Sequence, residues 1–386
     1  MQPTGIVETA KAVNPLKQLL KFGQSVWLDY IRRDLIETGE LKRLIEEDGL
    51  RGMTSNPSIF EKAIADSKYY SEGLKALQSR GDLDANGRYE ILAIRDIQDA
   101  ADVLRPVYQA TKRRDGYVSL EVSPYLARDT QATLNEARRL WKAVGRENLM
   151  VKVPGTAEGI PAFRQLISEG ININVTLLFA QEVYVEVAEA YIAGLEQLSA
   201  GGGDVSKMAS VASFFISRID SAVDAQLNAR LKTSTDEREK AELRSLLGKV
   251  AIANGKQTYQ RYLKVFGSDR WRRLAAKGAQ TQRVLWASTS TKNPDYSDVM
   301  YVDDLIGADT VNTIPPATFD AFRDHGHPRA SLTENVEAAD QTMAKAALLG
   351  ISMKEVTDKL TEDGVKLFAD AFGKLLQAVE TMTKSK

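Results

Sequence analysis

A lysine stands inside the apolar run Leu149-Met150-Val151-Lys152-Val153-Pro154. Lysine is almost never fully buried without a partner, and burial disfavours its charged form. Such a lysine either pairs with a carboxylate or serves as a neutral amine. A neutral amine attacks carbonyls and forms a Schiff base with them. A third reading is a lysine at a fraying strand end, its stem on apolar surface and its head in water. The choice among the three turns on which other polar side chains the fold brings to it.

Candidates lie at or near the ends of other short apolar runs. Asp29 ends Trp27-Leu28-Asp29, and Asn56 follows Thr54-Ser55. Glu121 lies between Leu120 and Val122. Asn172, Asn174 and Thr176 alternate, so an extended segment puts all three on one face. Ser210 and Ser213 are followed by Arg218, and Ser288 by Lys292. Most have a plain structural reading as well. Asp29 suits a helix N-cap. Glu121 could simply neutralise Lys152, and Asn56 before Pro57 could start a helix. Arg218 could pair with Asp220 or Asp224 on a helix surface. The amide row is harder to explain that way, because three polar side chains on one face of an apolar strand need buried partners. Collected in one place, two carboxylates, a lysine, amides and hydroxyls suit metal-free carbonyl chemistry on a phosphorylated sugar.

A scaffold that gathers strand ends is therefore needed. Runs at Ser25–Asp29, Gly52–Ser55, Tyr117–Val122, Leu149–Val153, Ile171–Leu177, Met208–Phe214, Arg283–Ser288 and Thr310–Ile314 read as strands. Between most of them apolar residues recur at helical spacing. In Asp129–Val144 they fall mostly on one side, and Gly145 supplies a stop. Strands alternating with helices imply a parallel sheet. The rhythm predicts an α/β fold, a single (β/α)8 TIM barrel spanning 1–386, with its chemistry at the C-terminal strand ends. Charged, helix-rich stretches near 57–114 and 217–282 read as helical insertions. After Pro328 come C-terminal helices, where Val365, Phe368, Phe372, Leu375, Leu376 and Val379 recur at helical spacing and pack back on the barrel. Arg218 and Lys292 follow late strands, where barrels often hold phosphate.

Composition narrows the function classes. With 386 residues and 43% hydrophobic content, the chain can fill so large a core. Its 51 basic and 52 acidic residues give a net charge of -1, without the basic field of a nucleic-acid binder. Cysteine is absent, which excludes disulfides and thiol catalysis and suits a reducing, cytoplasmic setting. Apolar runs fall far short of a membrane span, and Met1–Glu8 lacks a signal-peptide pattern. His325 and His327 flank Gly326 with no third ligand in view, so no metal is expected. No cofactor is expected either. Catalysis then rests on Lys, Asp, Glu, Ser, Thr, Asn and Arg.

Three segments resemble the signatures of the transaldolase family. They are Gly52-Met53-Thr54-Ser55-Asn56-Pro57-Ser58-Ile59-Phe60, Val151-Lys152-Val153-Pro154-Gly155-Thr156 with Glu158-Gly159-Ile160, and Gly170-Ile171-Asn172-Ile173-Asn174-Val175-Thr176-Leu177-Leu178-Phe179. The resemblance spans essentially the whole chain and is to the long form. It implies a class I Schiff-base aldolase fold and a transferase of the non-oxidative pentose phosphate pathway. A dihydroxyacetone unit would pass from sedoheptulose 7-phosphate to glyceraldehyde 3-phosphate, giving erythrose 4-phosphate and fructose 6-phosphate. Residue by residue, the resemblance makes Lys152 the Schiff-base lysine and Asp29 the group that takes the sugar hydroxyl proton. Glu121 would act through a water that Thr176 helps to hold. Asn56 and Asn174 would bind the dihydroxyacetone hydroxyls, and Ser213, Ser288 and Arg218 would serve the substrate. One stretch departs. Many family members carry Ala-Ser-Phe-Arg-Asn after the seventh strand, where this chain has Ala287-Ser288-Thr289-Ser290-Thr291-Lys292-Asn293-Pro294. Lys292 is the natural substitute for the missing arginine, as a point charge without bidentate geometry. Expected partners are phosphorylated sugars, not nucleic acid or membrane, with the oligomeric state left open. Two readings compete, a simple aldolase that releases dihydroxyacetone and a non-catalytic phosphosugar-binding barrel.

Overall fold

Each of the eight apolar runs forms a strand in the computed structural model, which describes residues 14–65, 68–78 and 80–384. The strands are β1 (Gln24–Asp29), β2 (Gly52–Thr54), β3 (Tyr117–Glu121), β4 (Leu149–Pro154), β5 (Ile173–Leu178), β6 (Ser210–Phe215), β7 (Arg283–Ala287) and β8 (Thr310–Ile314). They pair in chain order, and β1 pairs in parallel with both β2 and β8, so the sheet closes. The expected (β/α)8 barrel is therefore the fold. Strands β4 to β8 are buried along their whole length, as parallel strands covered on both faces must be. The segment Met1–Glu8 lies outside the described residues.

Register decides which strand-end side chains are neighbours. Asp29 stands beside Thr54, Glu121 beside Lys152, Lys152 beside Asn174, and Pro154 beside Thr176. Strand β5 begins two residues later than expected. Asn172 is left at the barrel base, donating to the Glu147 carbonyl at 3.0 Å and accepting from the Ala209 N–H at 2.9 Å. It therefore ties neighbouring strand ends together instead of joining Asn174 and Thr176 higher up. The base also holds a buried ion pair, Arg283 to Asp115 at 2.8 Å. Asp115 accepts from Ser25 Oγ and Trp27 Nε1 as well.

Helices form where capping and periodicity agree. Asp129 caps Thr130–Val144 through the Ala132 N–H, and Gly145 ends that helix in the left-handed region at φ 60°. The stretch 57–114 folds into helices Pro57–Ala65, Ser71–Gln78 and Ala85–Ala110, and 217–282 into Ser217–Thr233, Glu237–Arg244, Val250–Phe266 and Asp269–Ala275. Near the end come Val336–Leu348 and the long helix Met353–Lys384. The long helix packs against Pro57–Ala65 and against β5, which carries it over the C-terminal end of the barrel. Among the described residues, no helix is long and apolar enough to cross a membrane.

Candidate active site

The C-terminal strand ends open into a cavity of about 520 Å3. All of the expected site residues except Glu121 and Asn174 line it. Lys152 rises from β4 into its floor and is 4% exposed, so the strand-end snorkelling reading fails. Its Nζ donates to the Ser55 carbonyl at 3.1 Å and stands 3.4 Å from Glu121 Oε2. Thr176, fully buried, presents an Oγ with no protein partner to the same floor.

Glu121 meets Lys152 from the side away from the main cavity. Glu121 also lines a separate cavity of about 30 Å3 shared with Tyr89, Glu90 and Phe372, room enough for water. Burial pushes the Glu121 carboxyl up to about 7, against the pull of the Lys152 charge. A carboxyl poised there can both give and take a proton near neutral pH.

Asp29 is not a helix cap. The next helix, Arg33–Glu37, begins with Arg32 at its N-cap and no side-chain cap bond. Asp29 instead accepts a hydrogen bond from Thr54 Oγ at 2.7 Å, and that hydroxyl also meets Thr313 Oγ at 2.6 Å. Burial raises the Asp29 carboxyl above its ordinary value, although Lys152, Thr54, Arg218 and Lys292 all pull the other way. A raised carboxylate is a stronger base than one in water, and this one faces the cavity.

A cationic rim lies on the same side. Arg218 does not pair with its helix neighbours. Asp220 accepts from the Ala251 N–H and Tyr301 OH, and Asp224 from the Gly248 N–H and Tyr296 OH. Arg218 instead lies over the Phe215 ring at 5.2 Å, and its buried Nη1 has no protein partner. Lys292 is exposed at the rim and donates to Ser290 Oγ at 2.7 Å. Desolvation and the Arg218 charge push its ammonium below the ordinary value, against the pull of Asp29. Lys62, on helix Pro57–Ala65, is a further cation lining the cavity. Ser288 lies beside them with φ 54°, a conformation that costs a non-glycine residue about 1–3 kcal/mol. The Ser217 N–H donates to the Ser288 carbonyl at 3.0 Å and holds the turn in place.

The amides divide between two levels. Asn56 caps helix Pro57–Ala65 through its Oδ1, which accepts from the Ile59 N–H at 3.0 Å, and it also lines the cavity. The helix-start reading is correct, and the cap leaves Asn56 at the cavity wall. Asn174 is deeper and fully buried, donating to Ser119 Oγ at 3.1 Å and accepting from Ser213 Oγ at 2.6 Å. Ser213 is the member of that chain that reaches the cavity.

Sequence reasoning gave no role to several lining residues. Thr54 is one, and the parallel pairing of its strand with that of Asp29 was the signal that could have found it. Tyr30 directly follows an expected strand end, and Lys62 lies on the helix that follows another. Phe368 had no local signal, being one of several apolar residues on a distant helix.

The chain matches the family model described as "Transaldolase/Fructose-6-phosphate aldolase" over residues 26–379. It is 50% identical to the transaldolase of Trichodesmium erythraeum over 377 residues, covering 96% of this chain and 98% of the relative. It is 50% identical to transaldolase 2 of Nostoc sp. over 376 residues, covering 97% and 98%. The transaldolase of Thiobacillus denitrificans is 47% identical over 367 residues, covering 95% of this chain and all (100%) of the relative.

Proposed function

The chain is an enzyme of the transaldolase/fructose-6-phosphate aldolase family, and on that premise we propose that it moves a dihydroxyacetone unit between phosphorylated sugars through a Schiff base on Lys152. The donor is sedoheptulose 7-phosphate and the acceptor glyceraldehyde 3-phosphate. The products are erythrose 4-phosphate and fructose 6-phosphate, and the reaction is a step of the non-oxidative pentose phosphate pathway. The observation that carries this reading is the placement of the Lys152 amine between Glu121 at 3.4 Å and a cavity that also holds Asp29 and the Arg218 guanidinium.

The steps divide among these groups. The Lys152 amine adds to the ketose carbonyl, and Glu121 moves the protons needed to expel the hydroxyl as water. Thr176 helps to hold that water. The imine nitrogen then accepts the electrons of the breaking carbon–carbon bond, while Asp29 takes the proton of the neighbouring hydroxyl. The aldehyde leaves and a three-carbon enamine remains on Lys152. Asn56, Asn174 and Ser213 hold its hydroxyls, with Asn174 exchanging a serine partner for the substrate. Arg218, Ser288 and Lys292 bind phosphate, and their fixed distance from Lys152 sets the reacting carbons in place. The acceptor aldehyde then enters, and the same steps run in reverse.

Borohydride reduction in the presence of fructose 6-phosphate, followed by peptide mapping, tests the covalent step. The reduced adduct is expected on Lys152 and absent from Lys152→Ala and Lys152→Arg, since alanine has no amine and arginine is never deprotonated in proteins. An adduct on another lysine overturns the assignment.

A further inference from the structure

Between carbon–carbon cleavage at Lys152 and the arrival of an acceptor, the enamine must survive beside water unless something excludes it. The side chain in position to do so comes from the C-terminal helix Met353–Lys384. Phe368 is the residue of that helix lining the cavity, and its ring centre lies 5.7 Å from Lys152 Nζ. It is 6% exposed, although the cavity around it is otherwise rich in charged and hydroxyl groups.

Its position is set from both sides. One turn later, Phe372 is held edge-on between Tyr89 and Tyr125, with ring centres 5.8 and 5.6 Å away. One turn earlier, Gly364 rests on Leu177, where an added Cβ would come within 2.9 Å of the leucine Cδ2. Leu177 itself lies at the register shift between β5 and β6, with φ 62°, next to Thr176. The helix turns on either side of Phe368 are thus pinned by contacts to a neighbouring helix, to the turn after β3 and to β5. The ring offers no hydrogen bond to orient a water, and it covers the atom to which the intermediate is attached.

We propose that Phe368 determines specificity by keeping the three-carbon enamine on Lys152 for transfer instead of release. The inference rests on the Schiff-base reading above. Release requires a proton to reach the enamine carbon, giving an iminium. Water then adds to the imine carbon, and the carbinolamine expels the Lys152 amine with dihydroxyacetone as product. The water consumed balances the one lost when the imine formed, and the proton balances the one Asp29 took at cleavage. An apolar ring beside Lys152 slows release by keeping bulk water from carrying a proton to the enamine carbon, the one step that release has and transfer lacks; the water held by Thr176 and Glu121 for imine hydrolysis serves both branches.

The test compares two rates from fructose 6-phosphate in the parent, Phe368→Ala, Phe368→Val and Phe368→Leu. One is dihydroxyacetone release without acceptor. The other is transfer to erythrose 4-phosphate. Both are read per Lys152 adduct trapped by borohydride, so loss of folded protein does not enter the ratio. The ratio of release to transfer is expected to rise by roughly tenfold in Phe368→Ala, the effect of a barrier change of about 1.4 kcal/mol. It should rise less in Phe368→Val and stay near the parent in Phe368→Leu, which keeps apolar bulk. An unchanged ratio in the alanine and valine variants overturns the proposal. So does a leucine variant that matches alanine, since apolar cover would then not be the agent. A parent protein that gives no adduct at all overturns the Schiff-base reading itself, a distinguishable failure.

Discussion

At the scale of single residues, two carboxyls of similar chemistry sit in different surroundings, and the proposed reaction gives them different tasks. Asp29 faces the main cavity and is held by Thr54, whereas Glu121 sits behind Lys152 against a smaller cavity. Burial raises both, and Glu121 reaches about 7. The protonated form of Glu121 is the one able to donate to the carbinolamine hydroxyl. Below about pH 7 that form dominates, and above it the carboxylate does. Single-turnover imine formation with fructose 6-phosphate should therefore slow as pH rises through about 7. Glu121→Gln should lose that limb and fall by about two to four orders of magnitude, the range of general acid–base terms. A glutamine variant that keeps both the rate and its pH limb would move the proton shuttle elsewhere.

At the scale of elements, the loop after β7 carries Lys292, and the structure shows what holds it. Tyr296 in that loop donates to Asp224 Oδ2 at 2.7 Å, and its ring lies against Gly248. A Cβ at Gly248 would come within 2.8 Å of the tyrosine ring, and its φ of 68° also favours glycine. Thr291 Oγ donates to the Ser297 carbonyl at 2.7 Å and closes the loop on itself. Lys292 is thereby carried to the rim by a clamp on helix Ser217–Thr233, the same helix that presents Arg218. Tyr296→Phe removes one hydrogen bond, worth about 0.5–1.5 kcal/mol net. The KM for phosphorylated sugars should rise by up to about tenfold with kcat little changed. Steady-state kinetics check this, and an equal fall in kcat would show that the loop does more than hold phosphate.

At the scale of the whole molecule, the barrel separates stability from chemistry along its axis. The buried pair of Arg283 and Asp115 is at the base, while the site is at the opposite strand ends. Despite the desolvation cost, the Arg283 guanidinium together with Ser25 and Trp27 holds the Asp115 carboxyl below its ordinary value. A carboxyl with a depressed folded value adds stability above its unfolded value, and that stability is lost as pH falls through the folded one. Asp115→Ala leaves Arg283 buried and uncompensated, and should cost about 3–5 kcal/mol. Denaturant unfolding should show this loss at neutral pH, and the difference from the parent should shrink on acidification. Activity per folded molecule should be unchanged, and a large drop in kcat would mean that base and mouth are coupled.

Periodicity and strand-end chemistry are short-range properties, and the sequence by itself determined what depends on them. The eight strands, the cap at Asp129 and the strand-end positions of Asp29, Glu121, Lys152 and Thr176 could all be read from local pattern. Tertiary structure decided everything that depends on which distant segments meet. Barrel closure put Thr54 rather than a helix N-terminus against Asp29, and left Arg218 without the aspartates of its own helix. The start of β5 sent Asn172 to the base, a matter of two residues that alternation cannot resolve. Phe368 reaches Lys152 across more than half the chain's length of intervening sequence only because the last helix docks over the mouth. Docking of that kind depends on the summed shape of many surfaces, and no local spacing encodes it.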